Sequence, residues 1–106
     1  FATGEGSVHE RGVEVAYRKY LVGNSRMGER KLKVVLDAGN GTACVSAVPI
    51  FKALGVDITG LYCEMDGHFP NHHPDPTVMR NLKALSQKVV EEKADLGIAF
   101  DGDGDR

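Results

Sequence analysis

The chain has 106 residues, a formal net charge of -2, 42% hydrophobic residues and 26% charged residues, which suits one small globular domain. It has no basic stripe and no apolar run near the roughly 20 residues of a membrane span, so we expect neither a nucleic-acid partner nor a membrane anchor. Without a secretory signal pattern, the expected compartment is the cytoplasm. Cys44 and Cys63 form no CxxC pair, and we expect two reduced, half-buried thiols.

The chain opens with a glycine-containing segment that precedes a helical pattern. Residues 1–9 read as a linker between domains, because FATGEGSV holds two glycines and a serine. A helix is predicted from about residue 10 to residue 22, and the segment GNS at residues 23–25 should end it. Its apolar stripe, at helical spacing, consists of Val13, Ala16, Tyr17 and Tyr20.

A strand and a helix are predicted next. KVVLD at residues 33–37 is a short apolar run that reads as a buried strand of a parallel sheet. Thr42 is the predicted N-cap of a helix that runs to about Leu54 and is closed by Gly55. Pro49 lacks a backbone N–H, so this helix should kink there or begin near Val48. Its expected buried face consists of Ala43, Ala47, Ile50, Phe51 and Leu54.

Two further strands are predicted at DITGLY, residues 57–62, and at LGIAF, residues 96–100. A long loop rich in Gly, Pro, His, Asn and Asp separates them, from Cys63 to Pro76. Thr77 is the predicted cap of a helix over residues 78–93. The inner face of that helix should carry Leu82, Leu85, Val89 and Val90.

This order of elements predicts an α/β fold: a three-layer βαβαβ arrangement with a mainly parallel sheet, over residues 10–106. Right-handed crossovers should place the first strand in the middle of the sheet and helices on its faces, with the leading helix on the same layer. The turn at residues 38–41 and the loop at residues 101–106 both follow strands, at the sheet edge that usually carries chemistry. Because a parallel-sheet domain rarely ends on such a loop, we expect a truncated domain of a longer protein.

The strongest chemical motif is DGDGDR, residues Asp101–Arg106, here called the acidic loop. Gly102 and Gly104 can take positive φ, which would let the loop curl and aim the carboxylates of Asp101, Asp103 and Asp105 at one point. Three convergent carboxylates repel one another unless a cation neutralises them, and oxygen ligands favour Mg²⁺ or Ca²⁺. With Arg106 beside it, the loop suits Mg²⁺ shared with a phosphoryl group.

Two other interpretations of the acidic loop remain at this point. The loop could be a solvated turn, since aspartate and glycine are common turn residues. It also resembles the start of an EF-hand calcium loop, which needs a flanking helix and a glutamate at its twelfth position. The apolar run before the loop reads as a strand, which disfavours the EF-hand.

The turn Gly39–Asn40–Gly41 follows a strand and opens a helix, as a dinucleotide-binding fingerprint would. Cys44 stands where the third glycine of that fingerprint should be. Two residues, Asp57 and Glu64, compete for the role of its acidic partner. A tight turn at a strand-to-helix junction is the simpler interpretation.

A histidine-rich stretch lies in the long loop before the third predicted helix and contains His68, His72, His73 and Asp75. A zinc site is conceivable, but HxxxHH among prolines is not a known zinc-ligand spacing. The simpler interpretation is a loop stiffened by prolines, with histidines that make ordinary hydrogen bonds.

Three stretches together resemble the second domain of the α-D-phosphohexomutases, in the phosphomannomutase/phosphoglucomutase branch. They are KVVLDAGNGTA, LYCEMDGHFPNHHPDPTVMRNL and ADLGIAFDGDGDR. Residues 3–22 resemble the segment that leads out of the first domain of that family. The FPNHHPDP run is specific to the branch, since the phosphoglucosamine mutases carry a different segment there.

The resemblance implies a four-domain enzyme in which a phosphoserine of the first domain exchanges its phosphoryl group with a hexose phosphate through a bisphosphate intermediate. The phosphate thereby moves between C1 and C6 of mannose or glucose. The resemblance further implies that Asp101, Asp103 and Asp105 hold Mg²⁺ together with the phosphoserine, and that Arg106 faces the phosphoryl groups as a catalytic residue. The partners are then the hexose phosphate and the remaining domains of the same chain.

This chain lacks the TxSHNP-type serine segment, so we expect it to be inactive alone. A non-catalytic metal-binding module and a nucleotide-binding α/β module remain as alternatives.

Overall fold

The computed structural model describes residues 3–106, so the first two residues of the predicted linker lie outside it. None of its helices, over these residues, has the length and apolar character needed to cross a membrane. The strands are β1 (Lys33–Asp37), β2 (Asp57–Leu61) and β3 (Leu96–Ala99). The helices are α1 (Glu14–Asn24), α2 (Ala47–Ala53) and α3 (Lys83–Glu92), with 3₁₀ turns at Thr42–Val45 and Met79–Leu82.

The three strands form a parallel sheet in the order β2-β1-β3, so the first strand lies in the middle as predicted. Val34, Val35 and Leu36 of β1 are buried, because this strand has a neighbour on each edge and a helix on each face. Such continuous burial explains why β1 is an apolar run rather than an alternating one.

The helices α2 and α3 cover opposite faces of this sheet. Leu36 packs in one cluster with Ala47 and Phe51 of α2. Gly97 of β3 instead faces Leu85 and Val89 of α3, and it pairs in register with Val35. Because neighbouring residues of a strand point to opposite faces of the sheet, Leu36 lies on the face covered by α2 and Val35 on the face covered by α3. The predicted three-layer α/β fold is therefore confirmed.

The helix predicted from Thr42 to Leu54 is instead divided in two. Residues Thr42–Val45 form a 3₁₀ turn whose N-cap is Gly41, and α2 begins at Ala47. Pro49 is the third residue of α2, where its missing N–H costs no helical hydrogen bond. An α-helix through residue 45 would have placed the proline ring against a carbonyl. The prediction of Thr42 as a cap was therefore wrong, and the alternative of a helix that begins near Val48 is confirmed.

The third predicted helix is also shorter than expected. The 3₁₀ turn Met79–Leu82 precedes α3, and the hydroxyl of Thr77 donates to Asp75 instead of capping a helix. Leu85 is buried as predicted, whereas 77% of Val90 is exposed. Val90 is five residues beyond Leu85, which turns it about 140° away from the buried face at 3.6 residues per turn.

The leading helix, α1, begins at Glu14 rather than near residue 10. Gly12 lies just before it, and glycine loses the most backbone entropy in a helix. None of its residues is buried, although the helix contacts α2. Tyr17 and Tyr20 keep 52% and 67% of their surface exposed, so the predicted apolar stripe is only partly covered.

Both cysteines are free and half-buried, as expected, and they pack against the cluster of Leu36 and Ala47. Burial raises the pKa of the Cys44 thiol and the pKa of the Cys63 thiol. Their role is consequently that of small core side chains.

Candidate metal centre

The turn after β1 packs directly against the acidic loop. Gly39 and Asn40 adopt the left-handed conformation, with φ of 54° and 57°, and the N–H of Gly39 donates to Asp37 Oδ1 at 2.8 Å. A Cβ on Gly41 would lie 2.7 Å from the carbonyl oxygen of Gly102, and the N–H of Thr42 donates to that oxygen at 3.0 Å. The close packing of this turn on the acidic loop thus accounts for the glycine at position 41. The hypothesis that the glycine turn binds a nucleotide is weakened accordingly.

The acidic loop brings its three aspartates together. Asp101, Asp103 and Asp105 each offer a carboxylate oxygen, and these oxygens lie within 4.8 Å of one another. Gly104 supplies the curl with φ of 78°, whereas Gly102 does not take the predicted positive φ. The N–H of Gly104 donates to Asp101 Oδ1 at 2.9 Å. Within residues 3–106, no other group of three or more His, Cys, Asp or Glu side chains has this arrangement.

Asp101 and Arg106 close the acidic loop through several contacts. Asp101 is only 2% exposed, and its Oδ2 accepts from Arg106 Nε at 2.8 Å. The backbone N–H of Arg106 donates to Asp101 Oδ1 at 3.2 Å, and the N–H of Asp101 donates to the Arg106 carbonyl at 3.1 Å. The Arg106 side chain nevertheless remains 58% exposed, which leaves the end of its guanidinium accessible to an anion.

Two carboxyl groups of the loop, Asp101 and Asp105, have pKa values that are shifted in opposite directions. Burial raises the pKa of Asp101, but hydrogen bonds from the backbone and side chain of Arg106 outweigh this and lower it to about 2. The pKa of Asp105 is raised, first by its hydrogen bond with the Asp101 carboxyl and then by the negative charges of Asp103 and Asp101. The loop therefore holds more negative charge than Arg106 alone neutralises, which favours a cation.

A loop of residues 62–76, here called the connecting loop, lies beside this centre and is tied to the β1 turn by Asn40. The N–H of Asn40 donates to the Tyr62 carbonyl at 2.8 Å, and its side-chain amide donates to the Glu64 carbonyl at 2.7 Å. The amide of Asn71 donates to Asn40 Oδ1 at 2.8 Å. The role of Asn40 was not predicted, because nothing in its local pattern distinguishes it from any turn asparagine.

The histidines of the connecting loop do not converge on a metal site. His72 contacts Asp37 and the His73 carbonyl, whereas His68 contacts Asp66. The ring of His73 instead lies edge-on to Phe69, with centroids 6.4 Å apart. The zinc hypothesis therefore finds no support. The EF-hand interpretation is wrong, because the strand β3 and not a helix precedes the acidic loop.

Asp75 lies at the end of the connecting loop, and its Oδ1 is 3.8 Å from Arg106 Nη1. In the sequence, Asp75 groups with the histidines of this loop, and no local pattern indicates its contact with Arg106. The pattern Asp-x-Thr did carry a signal, since it is typical of a turn in which the aspartate is held by the residue two positions later. That turn is present, with the N–H of Thr77 donating to Asp75 Oδ1 at 3.0 Å.

Comparison with known proteins gives consistent matches. The family model described as phosphoglucomutase/phosphomannomutase, alpha/beta/alpha domain II, matches residues 15–106. The chain is 51% identical over 105 residues to a phosphomannomutase/phosphoglucomutase of Pseudomonas aeruginosa, which covers 99% of this chain and 22% of that protein. It is 43% identical over 102 residues to a phosphoglucomutase of Neisseria gonorrhoeae, which covers 96% of this chain and 22% of that protein.

A solved structure is similar along the whole chain. The phosphoglucomutase/phosphomannomutase family protein of Burkholderia thailandensis superposes with a TM-score of 0.92 at 46% identity, over 100% of this chain and 23% of that one. The chain thus spans about a fifth of the length of the relatives that it matches.

Proposed function

Because this chain belongs to the phosphoglucomutase/phosphomannomutase family, as its alpha/beta/alpha domain II, we propose that it is the metal-binding domain of a phosphohexomutase. The reaction moves a phosphoryl group between C1 and C6 of a hexose. The observation that carries the proposal is the convergence of Asp101, Asp103 and Asp105 beside Arg106. A transferring phosphoryl group spreads negative charge over its oxygens, and such a centre is suited to neutralise and orient it.

We assign Mg²⁺ to the three carboxylates. Oxygen atoms within 4.8 Å of one another form a donor set for a hard cation, and the raised pKa of Asp105 reflects the crowding that a cation would relieve. Asp103 and Asp105 are exposed, so phosphoryl oxygens can approach the same point. When bound, Mg²⁺ supplies charge neutralisation and fixed positions for those oxygens.

Arg106 is assigned the binding of phosphoryl oxygens. Its backbone and its Nε are held by Asp101, so the guanidinium is anchored at one end. The terminal N–H groups, on a side chain that is 58% exposed, can donate to an anion in the forked geometry that suits phosphate.

The partners of this domain follow from the length of its relatives. Since the chain spans 22% of the relative from Pseudomonas aeruginosa, the sugar-binding groups and the phosphorylated serine are assigned to other domains of the full-length protein. The substrate is a hexose 1-phosphate or 6-phosphate of glucose or mannose. The 106-residue chain alone is expected to be inactive, because it holds only one part of the reaction centre.

The proposal is tested with the full-length protein that contains this chain. Conversion of glucose 1-phosphate and mannose 1-phosphate to the 6-phosphates is measured with saturating Mg²⁺. Asp103→Asn should lower turnover by at least about 100-fold, because a lost ligand removes several kcal/mol of charge stabilisation. The melting temperature should barely change, since Asp103 is exposed.

Asp57→Asn is the matched control, because Asp57 is an exposed aspartate at the start of β2, on the opposite edge of the sheet. It should retain wild-type turnover. Near-normal turnover in all three variants Asp101→Asn, Asp103→Asn and Asp105→Asn would refute the assignment. Mg²⁺ binding without any mutase turnover would favour the non-catalytic metal module. Tight binding of NAD or ATP in the absence of Mg²⁺ would favour the nucleotide-binding module.

A further inference from the structure

Three carboxylates surround the guanidinium of Arg106, two from its own loop and one from a distant part of the chain. In its own loop, Asp101 accepts from Nε at 2.8 Å, and Asp105 Oδ1 lies 3.8 Å from the same nitrogen. Asp75, at the end of the connecting loop, places its Oδ1 3.8 Å from Nη1. The side chain of Asp75 is 26% exposed, so it is partly shielded from water. Asp75 therefore acts on a different nitrogen atom of this planar group from the two carboxylates of the acidic loop.

Asp75 is itself held from several directions. Its Oδ1 accepts from the N–H of Thr77 at 3.0 Å and from the Thr77 hydroxyl at 2.7 Å. The buried Asn81 donates its side-chain amide to the Asp75 carbonyl at 2.9 Å. Pro74, just before it, is buried beside Gly39 and Gly102. The hydrogen bonds that set the position of Asp75 thus come from groups outside the acidic loop, and Pro74 provides the contact with that loop.

The path of the connecting loop is fixed in the same way. His72 is 2.9 Å from the buried Asp37 carboxylate, and Asn71 donates to Asn40 Oδ1 at 2.8 Å. Both contacts attach the loop to the carboxyl end of β1. Asp75 is therefore carried on a segment that is anchored to the central strand, and it approaches Arg106 from a rigid support.

We infer that Asp75 is a positioning residue for Arg106, which orients the guanidinium toward the phosphoryl group; this inference rests on the proposed function. An arginine held only at Nε can swing its terminal N–H groups, and a long charged side chain loses much rotamer freedom when it grips an anion. The Asp75 carboxylate restricts that motion before the substrate arrives. Preorganisation of this kind strengthens substrate binding and stabilises the transition state, although Asp75 itself does not contact the substrate.

The test compares Asp75→Asn with Asp66→Asn in the full-length protein. Asparagine can keep the turn, because its side-chain oxygen can accept from Thr77, so Asp75→Asn removes the charge and preserves the loop. Asp66 is a matched control, since it lies on the same connecting loop and its Oδ1 accepts from the N–H of His68 at 2.9 Å in the same kind of turn. Asp66 has no ion pair with Arg106.

Asp75→Asn should lower kcat/KM for glucose 1-phosphate by about threefold to fivefold, the upper end of the range expected for a partly exposed ion pair. Asp66→Asn should change it by less than about twofold, and neither variant should alter the Mg²⁺ affinity measured by calorimetry. Equal kcat/KM values for the two variants would overturn the inference.

A double-mutant cycle separates positioning from a structural role. If Asp75 acts through Arg106, Asp75→Asn should have no further effect in an Arg106→Ala background. The cycle is measured on kcat/KM and also on the calorimetric affinity for glucose 1-phosphate, because Arg106→Ala turnover will be low. The same fold-loss in both backgrounds would overturn the inference. The proposed function is tested separately, by wild-type turnover and its loss in Asp103→Asn.

Discussion

The imidazole of His72 lies between two acceptors, with Nε2 2.9 Å from Oδ2 of Asp37 and Nδ1 2.9 Å from the carbonyl oxygen of His73. Both contacts are satisfied as hydrogen bonds when both ring nitrogens donate, as they do in the protonated imidazolium. Burial lowers the pKa of His72, but these two contacts outweigh burial and raise it overall. The buried Asp37 side chain thereby gains a partner from the connecting loop.

This pair makes stability depend on pH. Because the pKa of His72 is raised in the folded protein, its stabilisation is complete below the unfolded value of about 6.5 and is lost as pH rises through the folded pKa. The melting temperature of the wild type should therefore exceed that of His72→Gln by more at about pH 6 than at about pH 8.5. His9→Gln, in the exposed segment before α1, should keep the wild-type pH dependence. An equal difference at both pH values would contradict the imidazolium assignment.

Gly41→Ala should separate the β1 turn from the acidic loop. The new Cβ would lie 2.7 Å from the Gly102 carbonyl oxygen and 3.1 Å from that of Asp101, and backbone atoms cannot step aside as side chains do. The φ of Gly41 is -89°, so the effect is steric and not conformational. We expect a loss of about 1–3 kcal/mol in stability and a clear loss of Mg²⁺ affinity, measured by thermal unfolding and calorimetry.

Gly67→Ala is the control for that substitution. Gly67 is in the connecting loop, and a Cβ there would meet no atom within 4 Å. Its stability and Mg²⁺ affinity should match those of the wild type. A Gly41→Ala protein that behaves like Gly67→Ala would show that the two loops can move apart without consequence.

Gly97→Ala should disturb the packing of α3 on the sheet. The added methyl group would lie 2.9 Å from Val89 Cγ2 and 3.0 Å from Leu85 Cδ1, which are side-chain ends that can shift partly. A destabilisation of about 1–3 kcal/mol is expected from such overpacking, measured by denaturant unfolding. Adding Val89→Ala makes room, so the double variant should be more stable than the sum of the single effects predicts. If the effects of the two substitutions simply add, the strain caused by the new methyl group does not arise from its contact with Val89.

Arg106→Lys tests the need for a forked cation. A lysine ammonium cannot donate to Asp101 from Nε and also present two terminal N–H groups to a phosphate. We expect kcat/KM for glucose 1-phosphate to fall by at least about tenfold in the full-length protein. The fold should persist, because the backbone bonds between residues 101 and 106 do not depend on the side chain. Arg80→Lys, an exposed site on the 3₁₀ turn before α3, should leave kcat/KM unchanged.

The strands and the carboxylate set could be predicted from the sequence because each depends on a local pattern. The apolar run at Lys33–Asp37 is the central strand residue for residue, since only a strand covered on both faces needs such continuity. Crossover handedness then limited the order of the three strands. The acidic loop was readable because its glycines and aspartates alternate within six residues, and Gly104 does supply the turn.

Helix boundaries were less predictable, because they depend on competing partners. Thr77 has the chemistry of a cap, yet the first helical turn after it begins at Met79 with Val78 at the cap position, and the Thr77 hydroxyl donates to Asp75 at 2.7 Å in a turn of its own. The helical periodicity of residues 42–54 likewise did not decide where the α-helix starts, and Pro49 did.

Only the tertiary structure decided which side chains meet across the connecting loop. Asp75 and Arg106, like Asp37 and His72, come from segments that no periodicity relates, and the second pair is 35 residues apart in the chain. The sequence by itself determined the parallel three-layer fold and the three aspartates of the acidic loop. The path of the connecting loop determined that a fourth aspartate, Asp75, stands beside Arg106, because Asn40 and Asp37 hold that loop against the end of the central strand.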